Sequence, residues 1–310
     1  MKTTFVEHKF SAASLALIEQ ANKFLADYES QGLIVTLRQL YYLFVARGLV
    51  TNKQTEYKRI GSIISDARLA GLVDWSLMED RTRTLRTISH WTTPSSIIDA
   101  VARQYKEDLW RTQKVRIEVW IEKDALVGVI EKACRELRVE YFACRGYASQ
   151  SSQYEAGQRM ERYRSARQTP IILHLGDHDP SGIDMSRDNK DRLSMFAGAP
   201  IEIRRLALNM YQLQKYKPPP NPAKESDSRA DSYIEKFGHE SWELDALEPS
   251  MIDKLIRDEI LTLRDEDKWE EAAEEEAEHR AALQAVSDQW ENVQAFVEEN
   301  KGTDEEEDQE

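Results

Sequence analysis

Residues 171–182 read IILHLGDHDPSG, and this stretch decides the fold. Ile171, Ile172, Leu173 and Leu175 form the short apolar run expected of a strand buried in a parallel sheet. The run ends at Gly176, followed by Asp177, His178 and Asp179, then by Pro180, Ser181 and Gly182, which read as chain breakers. In an open α/β sheet, ligands bind beyond the carboxyl ends of the strands, so two acids there are placed for chemistry. Residues i and i+2 of an extended segment point the same way. Asp177 and Asp179 are therefore expected to converge on one hard cation while His178 faces elsewhere. A solvated Asp-rich turn is the alternative.

A second acid lies upstream. Residues 115–121, VRIEVWI, read as another strand, and Glu122 stands at its carboxyl end before a helix over 125–137. One Glu and two Asp on two strand ends make an oxygen-only set, which suits Mg²⁺, or Mn²⁺ in its place, better than zinc. Further strands are expected near 139–144, 170–175 and 201–206, with helices at 150–167 and 186–195 between them. That alternation implies a parallel α/β sheet.

The chain has 310 residues, enough for more than one domain, and a net charge of −14. The charge is uneven. From Met251 onward 22 acidic residues stand against 6 basic ones, whereas the first 250 residues hold 34 acidic and 36 basic. A near-neutral body with an acidic end does not exclude nucleic acid as a partner. No run approaches a membrane span and no basic-then-apolar leader opens the chain, so a protein of the cytoplasm, with no membrane partner, is expected. Cys134 and Cys144 lack metal-ligand spacing and read as buried thiols.

Toward the N-terminus, residues 10–29 have a helical period with Leu15, Ile18, Ala21, Phe24 and Leu25 on one face. Thr36 and Gln39 form a capping-box start for a helix from Leu37 to about Arg47, and another helix follows over 56–70. These short helices and the basic segment after them are consistent with a helix-turn-helix or winged-helix module. On a helical wheel Tyr41 falls with Leu37, Leu40, Phe44 and Val45 on the buried stripe. Tyr42 falls roughly 140° from Leu37, beside Arg38, and is expected to be presented to something. A phenol of pKa about 10 attacks poorly unless a cation stabilises the phenolate, and Arg38 one turn earlier is placed to do that or to grip a phosphate. Lys58, Arg59, Arg68, Arg81, Arg83 and Arg86 give the module a basic surface, the favoured DNA-facing region, and Arg145 could hold a phosphate beside Glu122. Arg159, Arg162, Arg164 and Arg167 lend one later helix a basic character. His174 and His178 read as structural.

Glu122 in WIEKDAL, paired with Asp177 and Asp179 in GDHDPSG, resembles the Toprim domain of topoisomerases, primases and certain nucleases. Within that superfamily the pair is most similar to the A subunit of topoisomerase VI and the related meiotic double-strand-break transesterase. Those proteins carry a winged-helix domain first, with a Thr/Ser-x-Arg-x-x-Tyr/Phe-Tyr motif whose last aromatic is the nucleophile. Thr36, Arg38, Tyr41 and Tyr42 match it, so the resemblance covers about residues 30–210. It implies a short stand-alone relative: a winged-helix-like domain over 1–90, a linker helix within 91–113 and a Toprim domain with extension over 114–250. An acidic helical region over 251–300 and a disordered tail over 301–310 follow and depart from the family's pattern; residues 269–282 are so rich in Glu and Ala that little of that face can pack.

The implied activity is cleavage of double-stranded DNA by transesterification, with Tyr42 forming a 5′-phosphotyrosyl link and Mg²⁺ held by Glu122, Asp177 and Asp179. A homodimer is implied, one protomer's tyrosine working with its partner's metal, together with a nucleoid association and a possible GHKL-type ATPase partner. A Toprim hydrolytic nuclease of the OLD or Wadjet-system type, and a non-catalytic DNA-binding protein, are the alternatives.

Overall fold

The apolar runs become four parallel strands: β1 (Val115–Ile121), β2 (Glu140–Ala143), β3 (Thr169–Leu175) and β4 (Glu202–Ala207). They hydrogen-bond in the order β2-β1-β3-β4. The computed structural model describes residues 2–78, 88, 90–224 and 226–301. Arg81, Arg83 and Arg86 of the expected DNA-facing region lie outside them, as does the acidic tail from Gly302 onward.

The strand order reverses between β1 and β3, which makes their carboxyl ends the topological switch point where α/β sheets bind ligands. Ile121 is in register with Leu175, and the Glu122 N–H donates to the Leu175 carbonyl at 2.9 Å. Glu122 and Gly176-Asp177 therefore leave neighbouring strands at the same level.

One face of the sheet packs on α6 (Gln150–Ser165) and α7 (Pro180–Phe196), through Trp120, Ile172, Met160, Leu193 and Ala197. Glu118 on that face is buried and bonded by the Trp120 indole at 2.8 Å and by Arg159 at 2.9 Å. Arg159 is thus a core partner and leaves the helix's basic face to its neighbours. α5 (Val127–Glu136) and α10 (Pro249–Leu263) pack against each other, and α10 also meets β1 and β4. Cys134 and Cys144 are buried and free.

The N-terminal helices are α1 (Ala12–Ser30), α2 (Leu37–Ala46) and α3 (Gln54–Leu69), with isolated bridges Thr4–Ala70 and Val35–Met78 and no wing hairpin among the described residues. Leu15, expected in the core, is 47% exposed. The wheel also misplaces Tyr42. Gln39, Leu40, Tyr41, Tyr42, Leu43 and Phe44 are all buried, because the middle of α2 is covered and Ala246 joins its core.

The chain divides into two compact units. One comprises Met1–Arg83 with Lys114–Leu263; the other comprises Thr84–Gln113 with Arg264–Glu310. The second unit, taken by itself, pairs the expected linker helix, α4 (Pro94–Gln104), with the acidic helix α11 (Glu266–Asp288). As expected for residues 269–282, little of α11 packs: Ala272 and Glu276 are its buried residues, and Trp110 meets Trp269 edge-on at 5.8 Å. No helix of the described residues is long and apolar enough to cross a membrane.

The residues read as breakers instead start a helix: Pro180 is its first residue and Asp179 its N-cap. Gly182 is required there, since a Cβ on it would stand 2.2 Å from the Asp177 carbonyl oxygen. Gly182→Ala must push α7 off the loop and is expected to lose about 2 kcal/mol of stability, read as a lower urea midpoint at unchanged slope.

Candidate active site

The in-step ends of β1 and β3 bring Glu122 against Asp177, whose N–H donates to Glu122 Oε2 at 2.8 Å. Burial raises the Glu122 pKa, and the Asp177 charge adds to it; burial likewise raises Asp177, against the pull of Lys123. Asp177 Oδ1 accepts the Leu244 N–H at 2.8 Å and its Oδ2 meets Lys123 Nζ at 3.0 Å. Asp179 turns away to cap α7, accepting Gly182 N–H at 2.6 Å and the Ser181 hydroxyl at 3.0 Å. The three acids therefore do not converge as expected, and they do not bring one oxygen each within 4.8 Å of one another. The reason is the early start of α7, which makes Asp179 a cap.

The loop is braced by residues the sequence reading passed over. Arg205 on β4 is half-buried and donates to the carbonyls of Gly176 at 3.0 Å and Gly182 at 2.8 Å. Burial lowers its pKa to about 10. His178 forms a backbone bridge with Trp242, and its Nδ1 meets the Tyr233 hydroxyl at 2.7 Å. Burial lowers its pKa to about 4. His174 bonds the Ser186 hydroxyl at 2.8 Å.

The His178–Trp242 bridge delivers a buried turn, Leu244–Ala246, and with it two more acids. Lys123 Nζ stands 2.9 Å from Glu243 and 3.2 Å from Asp245 as well as 3.0 Å from Asp177. Its burial disfavours the ammonium, but these three carboxylates raise its pKa. Asp245 is fully buried; its Oδ2 takes Arg38 Nε at 2.6 Å, and its Oδ1 has no partner among the described residues. Arg38 also pairs with Glu243 and lies 5.6 Å from the centre of the Tyr42 ring. Lys123 was adjacent to the chosen Glu122. Glu243 and Asp245 repeat the two-residue spacing of Asp177 and Asp179, which was the signal available for them.

Tyr42 is 6% exposed, and its pKa is raised by burial and then by Glu243. Its hydroxyl makes no hydrogen bond among the described residues. Tyr41 is not a plain core residue: its oxygen accepts the Lys53 N–H at 2.9 Å and donates to Asn52 at 3.1 Å, fixing the entry to α3.

Arg145 is exposed and pairs with Asp124 at 3.1 Å. With Arg38, Glu122, Lys123 and Asp245 it lines a groove of about 420 Å³. Lys58 is exposed, Arg59 is paired with Glu56 at 2.7 Å, and Arg68 is held over Trp75 at 4.3 Å. Of these three basic residues Lys58 is the least committed.

The donor set fits a hard divalent cation in chemistry: Glu122, Asp177 and Asp179 are the oxygens that would hold it, and the orphaned Asp245 Oδ1 lies in the same charge cluster. Elsewhere, Glu107, Glu275 and His279 do offer ligand atoms within 4.8 Å of one another. Arg111 already bonds both of those carboxylates, and His279 lies 2.6 Å from Glu107. No protein-family model matches the chain, and no curated protein is significantly similar to it.

Millimolar Mg²⁺ is expected to raise the melting temperature of the wild type, by relieving repulsion among buried carboxylates, and to do so less in Asp177→Asn. Differential scanning calorimetry checks this; equal melts with and without the ion in both proteins would count against metal binding here.

Against the upward push of burial, Lys123 and Arg38 hold the Glu243 pKa down to about 2, from 4.5. A depressed carboxylate contributes stability that is present above the unfolded pKa and lost as pH falls through the folded one. The stability difference between wild type and Glu243→Gln is therefore expected to be full above pH 4.5 and to shrink toward pH 2. Urea titrations across that range measure it.

Proposed function

We propose that this protein is a metal-dependent DNA-cleaving transesterase in which Tyr42 is the nucleophile. The observation that carries this reading is the position of Arg38. It lies against the Tyr42 ring at 5.6 Å and bonds Asp245 at 2.6 Å, and Lys123 at 3.2 Å from Asp245 links on to Asp177 at 3.0 Å. Tyrosine and carboxylates thus belong to one continuous charge network within a single chain.

Tyr42 attacks a backbone phosphorus, forming a 5′-phosphotyrosyl ester and freeing a 3′-hydroxyl. Arg38 faces the ring whose oxygen gains charge as the phenol ionises. Lys123 and Arg38 hold Glu243 and Asp245 in place, so these acids do not repel the incoming phosphate as free charges would. Glu122, Asp177 and Asp179 would hold a divalent cation, which would supply charge neutralisation at the phosphate and the leaving oxygen. The resemblance to the topoisomerase VI A subunit adds the homodimer and a possible ATPase partner to the reading.

A hydrolytic nuclease is the second reading, and the burial of Tyr42 with its raised pKa favours it. The two are separated by denaturing electrophoresis of labelled duplex after incubation with Mg²⁺ or Mn²⁺, with and without an ATPase subunit. Wild type is expected to form a gel-resistant adduct, and Tyr42→Phe to lose it entirely while keeping its melting temperature within a few degrees. Glu122→Gln is expected to lose cleavage. Breaks made equally well by Tyr42→Phe with no adduct would replace the transesterase by the hydrolase, and a wild type that binds but never cuts would leave a DNA-binding protein.

A further inference from the structure

Arg159 is spent on Glu118, and two other arginines of the same basic run, Arg164 and Arg167, belong to a different place. Together with Lys190 of α7 they line a groove of about 620 Å³ at the amino ends of β3 and β4, whose lining also includes Thr169, Pro170 and Glu202. Asp177 lies beyond the other end of β3. The seven residues of that strand, at about 3.3 Å each, put roughly 20 Å between the two places.

The cations of this groove are uncommitted. Arg164 reaches only the Ala197 carbonyl, at 3.4 Å, and the exposed side chains of Arg167 and Lys190 meet no carboxylate among the described residues. Arg187, Arg192 and Arg257 of the same unit, by contrast, each hold an acid. The acid in the lining, Glu202, is bonded by Arg204 at 2.6 Å. Both α6 and α7 end beside the groove, and the negative end of a helix carries about half a charge. Two such ends offset about one of the three cations, and the surplus is positive. Arg167 follows the C-cap of α6 with a φ of 62°, the left-handed conformation in which glycine is the usual residue. A cation stands there at a backbone cost that glycine would avoid.

The lining holds no aromatic ring, so a nucleic-acid base finds nothing to stack on. A nucleotide pocket encloses most of its ligand, whereas Arg164, Arg167, Thr169 and Lys190 are all exposed. A duplex backbone, which repeats its phosphates and keeps its bases inside, matches both features. We propose that this groove is a second nucleic-acid contact, in which Arg164, Arg167 and Lys190 hold the phosphate backbone of a DNA duplex at the end of the sheet opposite to Asp177. The choice of DNA as the polyanion rests on the transesterase reading. The contact itself requires neither Tyr42, metal nor cleavage, and it takes a different stretch of DNA from the one to be cut.

The test uses the full chain and a fluorescently labelled DNA duplex in EDTA, with anisotropy titrations over a series of salt concentrations. Arg167→Gly removes one cation and eases the backbone; a triple variant adds Arg164→Gln and Lys190→Gln. Arg135→Gln controls for net charge, since Arg135 lies on α5 and is bonded to Glu131 at 2.6 Å. Arg167→Gly is expected to melt no lower than wild type, with the slope of log K against log salt smaller by about 0.9, the value of one phosphate contact. The triple variant is expected to bind roughly tenfold more weakly, with a slope smaller by up to about 2.7, and the control to behave as wild type. Unchanged affinity and slope in the triple variant, or an equal loss in Arg135→Gln, would overturn the contact. A lowered melting temperature in Arg167→Gly with wild-type DNA binding would overturn it too, leaving the arginine as a partner of the helix end. Sodium triphosphate that raises the melting temperature of wild type and not of the triple variant, with one DNA slope for both, would replace it by a small-anion site. Adducts formed by wild type alongside any of these results would leave the transesterase standing without the groove. The graded loss of binding with no adduct from any protein would do the reverse.

Discussion

Carboxylates gathered at one end of a parallel sheet repel one another, and Lys123 is the group that makes the gathering tolerable. Its ammonium is within 3.2 Å of Asp177, Glu243 and Asp245 at once. Without a buried cation, three acids out of water would be driven toward their neutral forms or apart. With it, the Trp242–Leu247 segment can fold back over the strand ends, and the core of the N-terminal helices can include Ala246. One side chain thereby connects the sheet edge to the helix that carries the tyrosines.

The same charge network explains the state of Tyr42. Arg38 is held by two acids that are held in turn by Lys123, so the arginine beside the phenol is already partly neutralised. The phenol is buried and keeps its proton in this arrangement. Chemistry at Tyr42 is thus tied to how Arg38 divides its donors between protein carboxylates and anything that enters.

The sheet was legible in the sequence because its central strands β1 and β3 carry apolar runs and helical stretches alternate with the strands, and the strand ends fell within a residue or two of those expected. The switch-point position of Glu122 and Asp177 followed from strand order alone. What could not be read locally was direction. Pro180 and Gly182 look like breakers in a one-dimensional reading but serve as the first turn of α7, which commits Asp179 Oδ1 to capping it. Tyr42 was misplaced for a related reason: a wheel assumes one buried face, and the middle of α2, from Gln39 to Phe44, is buried all round. The two-residue spacing of Glu243 and Asp245 does not say where they lie, because a bridge from His178 to Trp242, with 63 residues between them, is what brings them in. Long-range pairing of this kind leaves no periodic trace.

The division of the chain has a consequence for its synthesis. The helix α4 and its packing partner α11 are separated by the whole of Lys114–Leu263, which forms part of the other unit. Chains emerge from the ribosome N-terminal end first. α4 is therefore finished early and must wait, with the side that carries Ala102 uncovered, until the sheet and α10 have been made. During that interval the nascent protein carries an amphipathic helix with no mate, and its completion depends on the acidic helix α11, which is translated only after them.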